Sequence, residues 1–135
     1  MIGARVLHDG QAQGRVLRLD HPLSFWGAFD PATGTIIDVH HPQCGLCLTD
    51  AVLLMRESRG SGSAPGAIAE AIRRGTAPSA IILIEADVNL AIGAAVAQEL
   101  YGRECPVLQV DAAGFDRLAH ALRIAIARGG IITAG

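Results

Sequence analysis

The chain has 135 residues, half of them apolar with 4% aromatic, and a formal charge of −2, which suits one domain with a real core and lacks the basic excess of a nucleic-acid binder. It contains no lysine, which removes a lysine Schiff base and a P-loop lysine and leaves arginine and histidine to hold an anion. No apolar run approaches the ~20 residues that span a bilayer, so no membrane contact is expected. The N-terminal stretch MIGARVLHDGQAQGRV shows no secretory pattern, and three cysteines, an odd number, fit a reducing, cytoplasmic setting without disulfides.

In chain order, GRVLRLD (14–20) and GTIIDVHHP (34–42) read as strands in a first half rich in glycine, proline and histidine. AVLLM (51–55) is a further strand, and residues 67–74 a helix. SAIILIE (79–85) has the unbroken apolar character of a strand buried on both faces. NLAIGAAVAQELYG (89–102) is a helix with Asn89 as N-cap and Gly102 as stop. PVLQV (106–110) is a strand, and FDRLAHALRIAIARGG (115–130) is read as a helix with Phe115, Leu118, Leu122 and Ile126 on one face. This alternation predicts an α/β fold with parallel strands and helical crossovers in the C-terminal half, the β-rich N-terminal part packing on the other side.

Between strand and helix lies RESRGSGSAPG (56–66). A Gly/Ser-rich turn feeding a helix start exposes backbone N–H groups at the positive end of the helix dipole, a seat for a carboxylate or phosphate, or else it is an ordinary loop. Gly60, Gly62 and Gly66 form GxGxxxG, which departs from the GxGxxG of dinucleotide folds. A serine here needs a partner or a positive field to act as a base, and Arg59 with the loop backbone supplies the field.

Cys44 and Cys47 form a CxxC preceded by His40 and His41. Only Cys105 remains to complete a metal site, and the motif leads into a strand where a redox pair would open a helix, so the pair reads as turn residues. HPLSFWGAFDPATG (21–34) gathers the only Trp and two of the three Phe beside Ser24 and Asp30. Such a loop is either a local mini-core or the lining of a binding mouth.

The run PLSFWGAFDPATGTIIDVHHPQCG, then RGSGS, then AIRRGTAPSAIILIEADVNLAIGAAVAQELYG resembles the small subunit, or swivelling domain, of the aconitase X family, over residues 14–110. The resemblance implies one domain over 1–135, a three-layer β/β/α fold similar to the fourth domain of aconitase, which closes over a site in a larger partner. It implies a hydro-lyase that eliminates water from a small carboxylate-bearing substrate, cis-3-hydroxy-L-proline ahead of mevalonate 5-phosphate. By the same resemblance the partner large subunit is expected to carry an iron-sulfur cluster, while this chain is expected to bind none, to hold no metal and to be inactive alone.

In the family motif the first serine after the Arg-Gly pair is the proton acceptor, and it matches Ser61, with Arg59 as supporting charge and Ser63 as the second choice. Gly60, Gly62, Ser24, Trp26 and His41 are the expected substrate contacts; adjacent residues His40 and His41 face opposite sides of a strand, so at most one of them faces the site. Relatives carry Ser where this chain has Cys47, which again separates the CxxC from the cluster. A non-catalytic ligand-binding or scaffold domain with the same fold is the alternative reading.

Overall fold

The computed structural model describes residues 2–59 and 62–135. Its centre is three parallel strands, β6 (Val52–Met55), β7 (Ala80–Leu83) and β8 (Val107–Gln109), joined by α1 (Ala64–Arg74) and α2 (Val88–Tyr101). Side chains alternate across these strands. Leu53, Met55, Ile81, Leu83 and Val107 face one core together with Ala64, Ile68 and Ile72 of α1 and Leu90, Ala94 and Ala97 of α2. Val52, Leu54, Ala80, Ile82 and Leu108 face a second core. That core is closed by Ile124 and Ile126 of β9 (Arg123–Ala127), Ile132 of β10 (Ile131–Ala134) and Phe115 and Leu118 of α3 (Ala112–Ala119). Helices, parallel strands and antiparallel strands thus make three layers, the expected β/β/α arrangement.

One strand serves both sheets. In β3 (Ala12–Arg18), residues Ala12 to Arg15 pair antiparallel with β9, and Val16 to Arg18 pair parallel with β6. Gly14 lies in the first of these halves, where a Cβ would stand 2.4 Å from the Asp50 carbonyl oxygen, so only glycine lets the strand pass. The edges are finished by β1 (Ile2–Gly3) on β10 and by β2 (Arg5–His8), antiparallel on β8. A short ribbon, β4 (Phe29–Asp30) with β5 (Thr35–Ile36), completes the fold.

Four sequence expectations are corrected. The segment 115–130 is not one helix: α3 stops at Ala119 and β9 follows. RIAIA buries Ile124 and Ile126 and exposes Arg123, Ala125 and Ala127, a period of two that pairing with β3 and β10 rewards. Leu122, placed on the helical face, is 82% exposed. The N-cap of α2 is Asp87, whose carboxylate accepts from the Asn89 N–H at 2.9 Å, so the helix starts at Val88. The N-terminal part does not form a layer of its own on the other side: β2 and β3 join the sheets, and Leu23, Phe25, Phe29, Ile36 and Leu48 pack into the helix-side core. Of GTIIDVHHP only Thr35 and Ile36 are extended in a ribbon.

The helix stop at Gly102 read correctly. Gly102 takes a left-handed φ of 67° and its N–H closes on the Gln98 carbonyl. Among the described residues no helix is long and apolar enough to cross a membrane.

The two helices meet at Gly93, where a Cβ would fall 2.2 Å from Ile68 Cγ2 and 2.7 Å from the Pro65 carbonyl oxygen. Gly93→Val is therefore expected to cost about 1–3 kcal/mol through overpacking, read as a lower urea midpoint. Ala95→Val, on the exposed side of the same helix, should cost less than about 1 kcal/mol.

Candidate functional site

Parallel strands end at a common edge, and the loops after β6 and β7 meet there. The Arg56 carbonyl accepts from the N–H groups of Ile84 (3.0 Å) and Glu85 (2.8 Å). The Ser58 hydroxyl bonds the Asp87 carboxylate, and the Arg59 N–H donates to the Leu23 carbonyl at 3.2 Å. Arg59 itself is exposed. Gly60 and Ser61 lie outside the described residues, so the principal base and one of its expected neighbours have no geometry here.

The chain resumes at Gly62, exposed, and Ser63, the N-cap residue of α1, with φ −93° and ψ −6°. The Ser63 side chain makes no cap bond to the helix, while its carbonyl accepts from Ala67 at 3.3 Å. Pro65 stands in the first turn, suited to a position whose N–H needs no partner. That turn carries no acidic side chain, so the positive end of the helix dipole is not neutralised locally.

Both readings of the aromatic loop hold, for different residues. Phe25 and Phe29 are core, with ring centroids 5.1 Å apart at 60°. Each contributes roughly 2–3 kcal/mol of burial. Trp26 is 61% exposed and, with Phe29, Pro31, Gly66 and Ala67, lines an apolar cleft of about 410 Å³ beside the start of α1. Ser24 holds the loop: its hydroxyl donates to the Trp26 carbonyl at 2.9 Å and accepts from the Trp26 N–H at 3.3 Å. Glu70, at the cleft rim, is held down to about 2 by hydrogen bonds from Arg73 and Arg74.

His41 is 6% exposed. Its Nδ1 accepts from the Gln43 N–H at 3.0 Å, which puts the ring proton on Nε2, 3.1 Å from the His21 carbonyl that accepts it. Substrate would reach this imidazole only by displacing one of those bonds. His40 is exposed, and its backbone N–H donates to Asp38. The structure therefore brings Arg59, Gly62, Ser63, Ser24 and Trp26 to one end of the molecule and sets His41 into the packing beneath His21.

The same end carries a cleft of about 310 Å³ lined by Glu57, Ser58, Glu85, Ala86 and Asp87. Positive charge there comes from Arg59 and from Arg56, whose guanidinium lies 5.6 Å above the Phe115 ring and 3.8 Å from Asp116. Sequence reading missed Ser58 and Asp87; the signal was an Asp two residues before Asn89, the position from which a carboxylate caps a helix.

The thiols do not converge. Cys44 and Cys47 are exposed, with Cys44 Sγ near the Ile36 carbonyl and Cys47 Sγ 3.4 Å from Thr49 Oγ1. The Thr49 hydroxyl and N–H hold the Cys47 thiol below its ordinary range, whereas burial pushes Cys105 up to about 12. Among the described residues no three His, Cys, Asp or Glu side chains lie together as metal ligands. This donor set does not fit an iron-sulfur cluster.

The family model of the aconitase X swivel domain matches residues 1–134. A cis-3-hydroxy-L-proline dehydratase of Hypocrea jecorina is 37% identical over 131 residues, covering 97% of this chain and 22% of the relative. The chain thus spans less than a quarter of that enzyme's length. A phosphomevalonate dehydratase small subunit of Methanothermobacter thermautotrophicus is 38% identical over 96 residues, 71% of this chain and 73% of that subunit. The crystal structure of Thermococcus kodakaraensis aconitase X in its holo-form superposes with a TM-score of 0.79 at 25% identity, over 99% of this chain and 97% of that one. With the three-layer fold and a sequence match along almost its whole length, the chain belongs to the aconitase X family as its swivel domain.

Proposed function

We propose that this chain is the small, swivelling subunit of an aconitase X hydro-lyase that dehydrates cis-3-hydroxy-L-proline, with mevalonate 5-phosphate as the next substrate. The observation that carries the preference is the extent of likeness: 97% of the chain aligns with a cis-3-hydroxy-L-proline dehydratase and 71% with a phosphomevalonate dehydratase small subunit. In this reading the chain works in the cytoplasm and is inactive without its large subunit, to which the iron-sulfur cluster is assigned.

Ser61 is the base. Its oxygen takes the proton from the carbon beside the substrate carboxylate, and the electron pair of that C–H bond forms the second bond of the new C=C. The C–O bond on the neighbouring carbon breaks and its oxygen leaves as hydroxide. The proton on Ser61 and that hydroxide together make the water released, which restores the base. A serine hydroxyl is a poor proton acceptor unless its oxygen is charged, so the site must favour negative charge. Arg59 and the N–H groups opening α1 supply that bias, and the first turn of α1 holds no carboxylate to oppose it. The backbone of Gly60 and Gly62 admits the substrate carboxylate closely, Ser24 and Trp26 shape the neighbouring wall, and Ser63 is the second choice of base. His41 contacts substrate only if it gives up its bond to His21 or Gln43.

A partner is supported by α2. Val88, Ile92, Val96 and Leu100 recur every fourth residue on its outer face and are 43–65% exposed. A helix apolar on both faces is normally covered on both. The large subunit is the cover proposed.

Anaerobic co-expression with the large subunit, followed by parallel assay of both substrates, tests the reading. Activity on cis-3-hydroxy-L-proline is expected; activity on mevalonate 5-phosphate alone reverses the order, and no complex at all favours the non-catalytic alternative. In the active complex Ser61→Ala should lower kcat by at least about 100-fold without loss of assembly. Retained turnover rejects Ser61 as base. Val96→Glu, away from the catalytic loop, should weaken subunit association on size-exclusion chromatography.

A further inference from the structure

Asp87 uses both carboxylate oxygens on different parts of the chain. Oδ1 accepts from the Asn89 N–H at 2.9 Å and caps α2. Oδ2 accepts from the hydroxyl of Ser58, a residue far away in sequence, in the loop that leads to Ser61. A helix cap requires only the first of these bonds. We propose that Asp87 is a positioning residue, which acts through Ser58 to hold the chain that leads to Ser61; this rests on the reading of Ser61 as base.

Ser61 follows Ser58 by three residues, a reach of at most ~11 Å of extended chain. On the other side α1 begins at Ala64, and Pro65 of its first turn packs on Gly93 of α2. Asp87 opens that same α2. Both flanks of residues 59–63 are therefore tied to one rigid element, by a hydrogen bond upstream and by helix packing downstream. The Arg59 N–H bond to the Leu23 carbonyl adds a third tie from the aromatic loop. Without Ser58–Asp87, the upstream flank keeps the Arg56 bonds to β7 and the Leu23 bond but loses its link to α2. A base displaced by a fraction of an ångström reacts slowly while substrate binding elsewhere is little changed.

The test is a double-mutant cycle in the assembled, cluster-loaded complex. Ser58→Ala removes the hydroxyl; Asp87→Ser keeps an N-cap oxygen but is too short to reach Ser58. Each is expected to lower kcat about tenfold with KM for cis-3-hydroxy-L-proline within about twofold. Ser58→Thr, which keeps the hydroxyl, should restore most of the rate. The double variant should be no slower than either single one, because both remove the same bond. Unchanged kcat in both single variants, additive losses in the double, or a fall in thermal midpoint with kcat intact each overturns the proposal. Ser61→Ala in the same series separates the two ideas: an inactive Ser61→Ala beside fully active Ser58→Ala and Asp87→Ser rejects only the positioning role, whereas an active Ser61→Ala rejects the base on which it rests.

Discussion

Burial of β6, β7 and β8 on both faces is the constraint from which the rest of this structure follows. Their residues from Val52 to Met55 and from Ala80 to Leu83 are fully enclosed, so each face needs its own apolar cover. The helices α1 and α2 cover one, and β9, β10 and α3 cover the other. Two covers of different kind require a strand that belongs to both sheets. β3 meets that requirement by changing partner between Arg15 and Val16, with Gly14 admitting the Asp50 carbonyl.

Parallel pairing also decides where the candidate site lies. The carboxyl ends of β6 and β7 lie at one edge, so the loops that follow them are neighbours despite their separation in sequence, and a helix N-terminus faces outward beside them. The Arg56 carbonyl, accepting from the Ile84 and Glu85 N–H groups, and the Arg59 N–H, donating to the Leu23 carbonyl, tie this edge to the segment after β7 and to the aromatic loop. The dense α1–α2 contact at Gly93 carries the same order into the helix layer.

The molecule divides its large apolar side chains between core and surface. Phe25 and Phe29 serve the core, while Trp26 between them faces out. On α2, Leu90, Ala94 and Ala97 face inward, and Val88, Ile92, Val96 and Leu100 face outward. An apolar stripe of that kind is the surface that contact with another part of an assembly would remove from water.

The sequence by itself determined the parallel α/β half, the helix stop at Gly102 and the family, because these depend on local apolar runs, on a left-handed glycine and on an uncommon string of residues. It offered a candidate anion seat at the start of α1 for the same local reason. Only tertiary structure decided that residues 123–127 are a strand, since Ile126 also continues the helical spacing of Leu118 and Leu122 until β3 and β10 offer hydrogen bonds to both edges and select the period of two. Only tertiary structure decided that His41 points inward, where the backbone of His21 and Gln43 satisfies its ring, and that Ser58 meets Asp87. Contacts of that kind join residues distant along the chain, and no periodicity or spacing records them.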